Sequence, residues 1–141
     1  MIAYLDTSAV IPLLVDEPGS EVCRDVWFTA TTLTTSRLLY VEAAAALARA
    51  ARTGRLDGPA YEDSLAGLDG LWRQLDVIAV DEPLVREAAE LARTHGLRGY
   101  DAVHCASGLQ VSGPDAVAVS GDQELLTAWR ASGLATLDTV G

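Results

Sequence analysis

Short apolar or β-branched runs alternate along the whole chain with longer segments of helical periodicity, and that alternation leaves few folds open. The runs are Ile2–Leu5, Thr31–Thr35, Val77–Val80, Ala116–Val119 and Ala135–Leu137. Ile2–Leu5 has no polar alternation, which marks a strand covered on both faces. Between the runs, helices are expected over Ser8–Leu14, from a Ser20 cap to Phe28, and from a Ser36 cap to Gly54. Further helices are expected over Pro59–Leu75, Pro83–His95 (stopped by Gly96), Asp101–Val111 and Asp122–Ala131. The pattern predicts an α/β domain with a largely parallel sheet.

At 141 residues the chain is long enough for one self-sufficient core, and no repeat or linker divides it, so residues 1–141 read as a single domain. No apolar run approaches the length of a membrane span, and Asp6 interrupts any signal-like start. Cys23 and Cys105 have no metal-type spacing, which makes a reduced cytoplasmic protein with two small core cysteines the default. The formal net charge is −10, and all ten basic residues are arginine. The absence of lysine removes P-loop and Schiff-base chemistry. The acidity argues against nonspecific binding to a polyanion, although bound cations and local arginines can reverse the potential at one site.

Four acids fall in or beside apolar stretches where a free charge is costly: Asp6, Glu42, Asp101 and Asp122. Asp6 and Asp122 follow strands, at the edge where α/β sheets place their sites, and Asp101 reaches that edge if its helix starts there. Taken singly, Asp101 and Asp122 are ordinary helix-start acids, and Asp6 could cap the helix after it. Glu42 resists that reading. Its helical neighbours Leu38, Leu39, Ala45 and Ala46 cannot pair with it, and Arg49 lies two turns on, about 10.5 Å along the axis. Its charge is expected to meet something outside its own helix. A shared divalent cation would satisfy all four, and an oxygen-only set suits Mg²⁺ or Mn²⁺ rather than zinc.

The flanking hydroxyls of Thr7, Ser8 and Ser120 are capping groups or supports for a metal and its water. His104, one turn after Asp101, reads as a packed or hydrogen-bonded histidine rather than a ligand, and His95 as a helix C-terminal residue. Arg49, Arg52 and Arg55 recur at intervals of three, either as cations at a helix end or as a strip for phosphates. Trp27, Trp72 and Trp129 read as core or interface residues.

Four segments in order now resemble a known family: Met1–Val10 with its Leu5-Asp6-Thr7-Ser8, Ser36–Glu42, Gly99–His104 and Val119–Asp122. Together they resemble a PIN-domain protein and, within that superfamily, the VapC ribonuclease toxins of bacterial toxin–antitoxin pairs. Glu124–Leu134 is similar to the family's closing helix and strand. The resemblance implies a three-layer α/β/α sandwich and Mg²⁺- or Mn²⁺-dependent cleavage of structured RNA such as tRNA or ribosomal RNA. It implies Asp6, Glu42 and Asp101 as a metal triad, Asp122 as a fourth acid, and Thr7, Ser8 and Ser120 as supporting hydroxyls. It further implies a homodimer and a small VapB-type antitoxin partner.

Three alternatives stand beside that expectation. A PIN-type nuclease of RNA processing would share the site without being a toxin. An aspartate-nucleophile phosphatase or dehalogenase fits poorly, because Asp6-Thr7-Ser8 lacks a second aspartate and no lysine supports it. A metal-stabilised binding module without catalysis is the non-enzymatic alternative.

Overall fold

A computed structural model describes residues Met1–Gly141. Five strands, β1 (Ile2–Leu5), β2 (Thr32–Ser36), β3 (Asp76–Ile78), β4 (Ala116–Ser120) and β5 (Ala135–Asp138), form one parallel sheet in the order β3-β2-β1-β4-β5. The chain first builds outward from β1 to β3, then returns to the other side of β1 for β4 and β5. The order therefore reverses between β1 and β4, and the crevice beyond their carboxyl ends is where such sheets bind ligands.

Seven helices cover the sheet: α1 (Thr7–Leu14), α2 (Ser20–Thr29), α3 (Leu39–Arg52), α4 (Gly58–Trp72), α5 (Glu82–His95), α6 (Gly99–Gln110) and α7 (Gln123–Ala131). Alternation along β1 divides the core. Ala3 and Leu5 pack with Val10, Leu39, Leu47 and Leu68 from α1, α3 and α4. Tyr4 points into the other cluster, with Leu84, Cys105, Leu125 and Trp129 from α5 to α7. The result is the three-layer α/β/α sandwich with a parallel central sheet.

Trp129 is fully buried, and its indole N–H donates to the Cys105 carbonyl at 3.1 Å. The close approach of α6 and α7 depends on Gly108, where a Cβ would lie 2.6 Å from the Trp129 indole nitrogen. Trp27 is buried too, while Trp72 meets Tyr40 edge-on at 5.4 Å between α3 and α4. All three tryptophans are thus packing residues. The two cysteines are free and buried. No helix is long and apolar enough to cross a membrane.

Two expected serine caps are not realised, and α6 starts at Gly99, two residues before the expected Asp101. Ser36 does not cap α3: it ends β2 opposite Ile78, and the Arg37 N–H continues the ladder to the Ile78 carbonyl. The helix begins three residues later, and the Ser36 hydroxyl accepts from the Leu38 N–H at 3.1 Å. Ser20 is already inside α2, with its hydroxyl accepting from the Glu17 N–H in the preceding turn. β3 stops at Ile78, two residues before the expected Val80. Gly96 does end α5, in the left-handed conformation at φ 67°.

Candidate active site

At the point where the strand order reverses, the loops after β1 and β4 are tied together by serine hydroxyls. Ser8 donates to Asp6 Oδ1 at 2.7 Å, and Ser120 donates to Asp6 Oδ2 at 3.0 Å. The two serine oxygens are 3.2 Å apart, and the N–H groups of Gly121 and Asp122 donate to Ser8 and Ser120 respectively. Asp6 occupies the position before α1 yet makes no side-chain cap bond. Its carboxylate is turned to the crevice hydroxyls instead. Burial pushes the Asp6 carboxyl above its usual range. The His104 charge and both serine hydroxyls oppose that shift, and nearby Asp122 adds to it.

Glu42, on the first turn of α3, finds partners from two other elements. Its Oε1 accepts from Thr7 Oγ1 at 2.9 Å and from His104 Nε2 at 2.6 Å. His104 comes from the buried face of α6 and is only 2% exposed. Its Nδ1 lies 2.8 Å from the hydroxyl of Tyr4, the buried residue that precedes Leu5 in β1. Burial opposes the charge of Glu42, but the bonds from His104 and Thr7 outweigh it and hold the carboxyl below its usual range. Burial likewise works against a charged His104, and the Glu42 bond with the fields of Asp6 and Asp101 raises it overall.

The two remaining acids differ in how free they are. Asp122 caps α7, with its Oδ1 accepting from the N–H groups of Glu124 and Leu125 at 3.0 and 3.2 Å. The ordinary helix-start role is therefore realised there, using one oxygen. Asp101 lies in the first turn of α6 and caps nothing; its nearest cation is exposed Arg98 at 3.7 Å. Burial pushes its carboxyl up, and the Asp122 charge adds to the shift, with Glu42 contributing less. Asp122 thus acts on both Asp6 and Asp101, and Glu42 acts on Asp101.

The donor set fits a hard divalent cation. The available ligands are carboxylates and hydroxyls, and Asp101 lacks any hydrogen-bond donor of its own. No three acidic, histidine or cysteine side chains stand close enough together to hold a metal ion among them. Mg²⁺ is the hard cation that needs fewest protein ligands, since it typically takes one or two carboxylates and keeps several waters.

A cleft of about 580 Å³ adjoins the acids, lined on their side by Thr7, Ser8 and Gly121. Arg49 and Arg55 of the segment after Glu42 form another wall, with Thr139 and Val140 from the chain end. Arg55 is paired with Glu17 at 3.4 Å, whereas Arg52 does not line the cleft. The arginine strip is therefore split: Arg49 and Arg55 line this cleft, which none of the four acids lines, and of the two only Arg55 has an acidic partner. His104 is the site residue that spacing alone missed as a partner of Glu42. The available signal was a histidine one turn after Asp101 on the same helix.

The model of the PIN domain family matches residues 3–127. Ribonuclease VapC45 of Mycobacterium tuberculosis (strain CDC 1551 / Oshkosh) is 36% identical over 132 residues, covering 94% of this chain and 92% of the relative. The crystal structure of M. tuberculosis VapC20, described as a sarcin-ricin loop cleaving toxin, superposes with a TM-score of 0.70 at 19% identity, over 96% of this chain and 98% of that one. A chain of a toxin–antitoxin complex from Klebsiella pneumoniae superposes at 0.66 with 11% identity, over 97% of both chains. The sandwich with its acid-edged crevice is a PIN domain. The chain belongs to that family and, within it, to the VapC ribonucleases.

Proposed function

We propose that the protein is a divalent-cation-dependent endoribonuclease that acts as the toxin of a toxin–antitoxin pair. The observation that carries the reading is the gathering of Asp6, Glu42, Asp101 and Asp122 around one crevice, with the imidazole of His104 the one buried basic group among them. Such a set is short of positive charge, and Mg²⁺ or Mn²⁺ would supply it. Asp6, Glu42 and Asp101 would hold the ion, and Asp122 would offer its second oxygen to it or to its waters. Ser8 and Ser120 orient Asp6, and Thr7 orients Glu42.

The reaction is hydrolysis of a phosphodiester by in-line attack of water. When bound, the cation supplies Lewis acidity, bringing the pKa of its water toward about 7 and shielding charge on phosphorus. Water attack leaves the RNA 2′-hydroxyl without a chemical role, so preference for RNA comes from the shape of the groove. Arg49 is set to contact a phosphate in the cleft beside the acids, and Arg52 a phosphate farther out. The substrate class is a structured RNA, such as tRNA or ribosomal RNA; the description of VapC20 as a sarcin-ricin loop cleaving toxin is in keeping with such a target. A VapB-type antitoxin would neutralise the enzyme, and its basic groups would complement the acidic crevice in the cytoplasm.

A homodimer has a candidate surface in the apolar groove of about 400 Å³ between α5 and α6, lined by Leu38, Val80, Val85, Ala88, Tyr100 and Val103. A dimeric mass for the wild type and a monomeric one for Val85→Asp would support that surface.

The direct test sequences RNA ends from cells expressing the wild type or Asp6→Asn. New ends at defined positions, together with growth arrest, are expected for the wild type alone. Equal cleavage by Asp6→Asn would overturn the assignment. Cleavage without growth arrest would favour an RNA-processing nuclease.

A further inference from the structure

The Tyr4–His104–Glu42 chain does more than fill the core. Glu42 Oε1 carries two donors, Thr7 Oγ1 at 2.9 Å and His104 Nε2 at 2.6 Å, while Oε2 has no hydrogen-bond partner. A carboxylate only accepts, so Nε2 carries a hydrogen in either protonation state of His104. The ring itself cannot swing away. It is enclosed in α6, its Nδ1 meets the Tyr4 hydroxyl at 2.8 Å, and Tyr4 packs edge-on against both His104 and Trp129. Two elements, α1 and α6, therefore converge on one oxygen of a side chain from α3, and β1 holds the α6 partner in place through Tyr4.

We propose that His104 is a positioning residue for Glu42: with Thr7 it occupies Oε1 and so dedicates Oε2 to the cation or to a water that the cation orders. The inference rests on the metal-site reading above. Its consequence is that Glu42 contributes a single oxygen in a fixed orientation, leaving the other coordination positions to Asp6, Asp101 and water. Fixing a ligand through an outer hydrogen bond is worth about 10–100-fold in metal affinity where it has been removed in other metal sites.

The test measures Mn²⁺ affinity of the purified protein without RNA, from the electron paramagnetic resonance signal of free Mn²⁺ at constant pH. His104→Leu keeps the volume and removes the donor, and is expected to weaken binding by about 10–100-fold. His104→Gln can still present an N–H to Glu42 and is expected to recover most of the affinity. His104→Asn is the second variant, because its shorter amide reaches toward Tyr4 but not Glu42; it should bind as weakly as His104→Leu. The Gln and Asn pair keeps the comparison available if the leucine variant does not fold. Wild-type affinity in His104→Leu or His104→Asn, or no recovery in His104→Gln, would overturn the positioning role while leaving the metal reading intact. A wild type that binds no Mn²⁺ would overturn both.

Discussion

Asp6 is buried and Glu42 half-buried at the same sheet edge, and the fold satisfies them by opposite means. Asp6 receives neutral hydroxyls on both oxygens, and burial leaves its carboxyl raised above the usual range. Glu42 receives an imidazole and a hydroxyl on one oxygen, and those bonds hold it below the usual range despite burial. One carboxylate has a basic group bonded to it; the other feels that group only at a distance and has no basic partner of its own. The contrast teaches that a cluster of acids need not be uniformly unstable, because the deficit of positive charge is concentrated on the Asp6 and Asp101 side.

The strongest way to break that contrast is to neutralise each acid in turn. Asp6→Asn should lower cation-dependent RNA cleavage by more than the about 10–100-fold expected for an outer-shell partner. In metal-free protein the two substitutions should separate in sign. The folded pKa of Asp6 is raised, so at neutral pH its ionised form is worse off folded than unfolded, and Asp6→Asn should raise the thermal midpoint. Glu42 is depressed, so its stabilisation is present above its unfolded pKa and is lost as pH falls through the folded value. Glu42→Gln should therefore lower the midpoint at neutral pH. Midpoints moving in the same direction would contradict the division.

Substrate contact supplies a smaller effect along the same crevice. Arg49→Ala should weaken RNA binding and reduce the salt dependence of log affinity by about 1, the signature of one lost phosphate contact. Arg52→Ala, outside the cleft, should do less; equal effects would place the RNA along the helix rather than in the cleft.

The pH profile sharpens the role of the buried imidazole. The folded pKa of His104 is raised, so its contribution to stability is fully present below its unfolded value of about 6.5 and is lost as pH rises through the folded value. In metal-free protein the gap in midpoint between wild type and His104→Gln should narrow as pH rises past neutrality. A gap that widens would show a neutral His104 in the fold.

The smallest change is expected at Asp122. Asp122→Asn preserves the cap of α7 and should leave stability unchanged, whereas Asp122→Ala should cost about 1 kcal/mol. Thermal melts of the two variants separate capping from any part Asp122 has in cleavage.

Much of this arrangement was legible from local pattern. Uninterrupted apolar runs marked the buried parallel strands, and Asp6 and Asp122 could be placed at the sheet edge because each follows a strand. Glu42 could be recognised as unpartnered within its own helix, since helical neighbours follow from a fixed period. Its actual partner could not, because His104 arrives from α6, 62 residues away, by tertiary packing alone. Ser36 misled for a related reason: a serine before an apolar helix resembles a cap, but pairing with β3 extended the strand through it. The split of the arginine strip also needed the fold, since equal spacing on a helix does not reveal which member borders a cleft.

The most direct measurement is the thermal midpoint of wild type and Asp6→Asn across millimolar Mn²⁺, with Mg²⁺ in parallel. A cation that binds only the folded state raises the midpoint with concentration. The account predicts that Asp6→Asn starts higher without metal and gains little from it, while the wild type starts lower and rises steadily. An unchanged wild-type midpoint, or an equal rise in Asp6→Asn, would contradict a shared cation site built on Asp6.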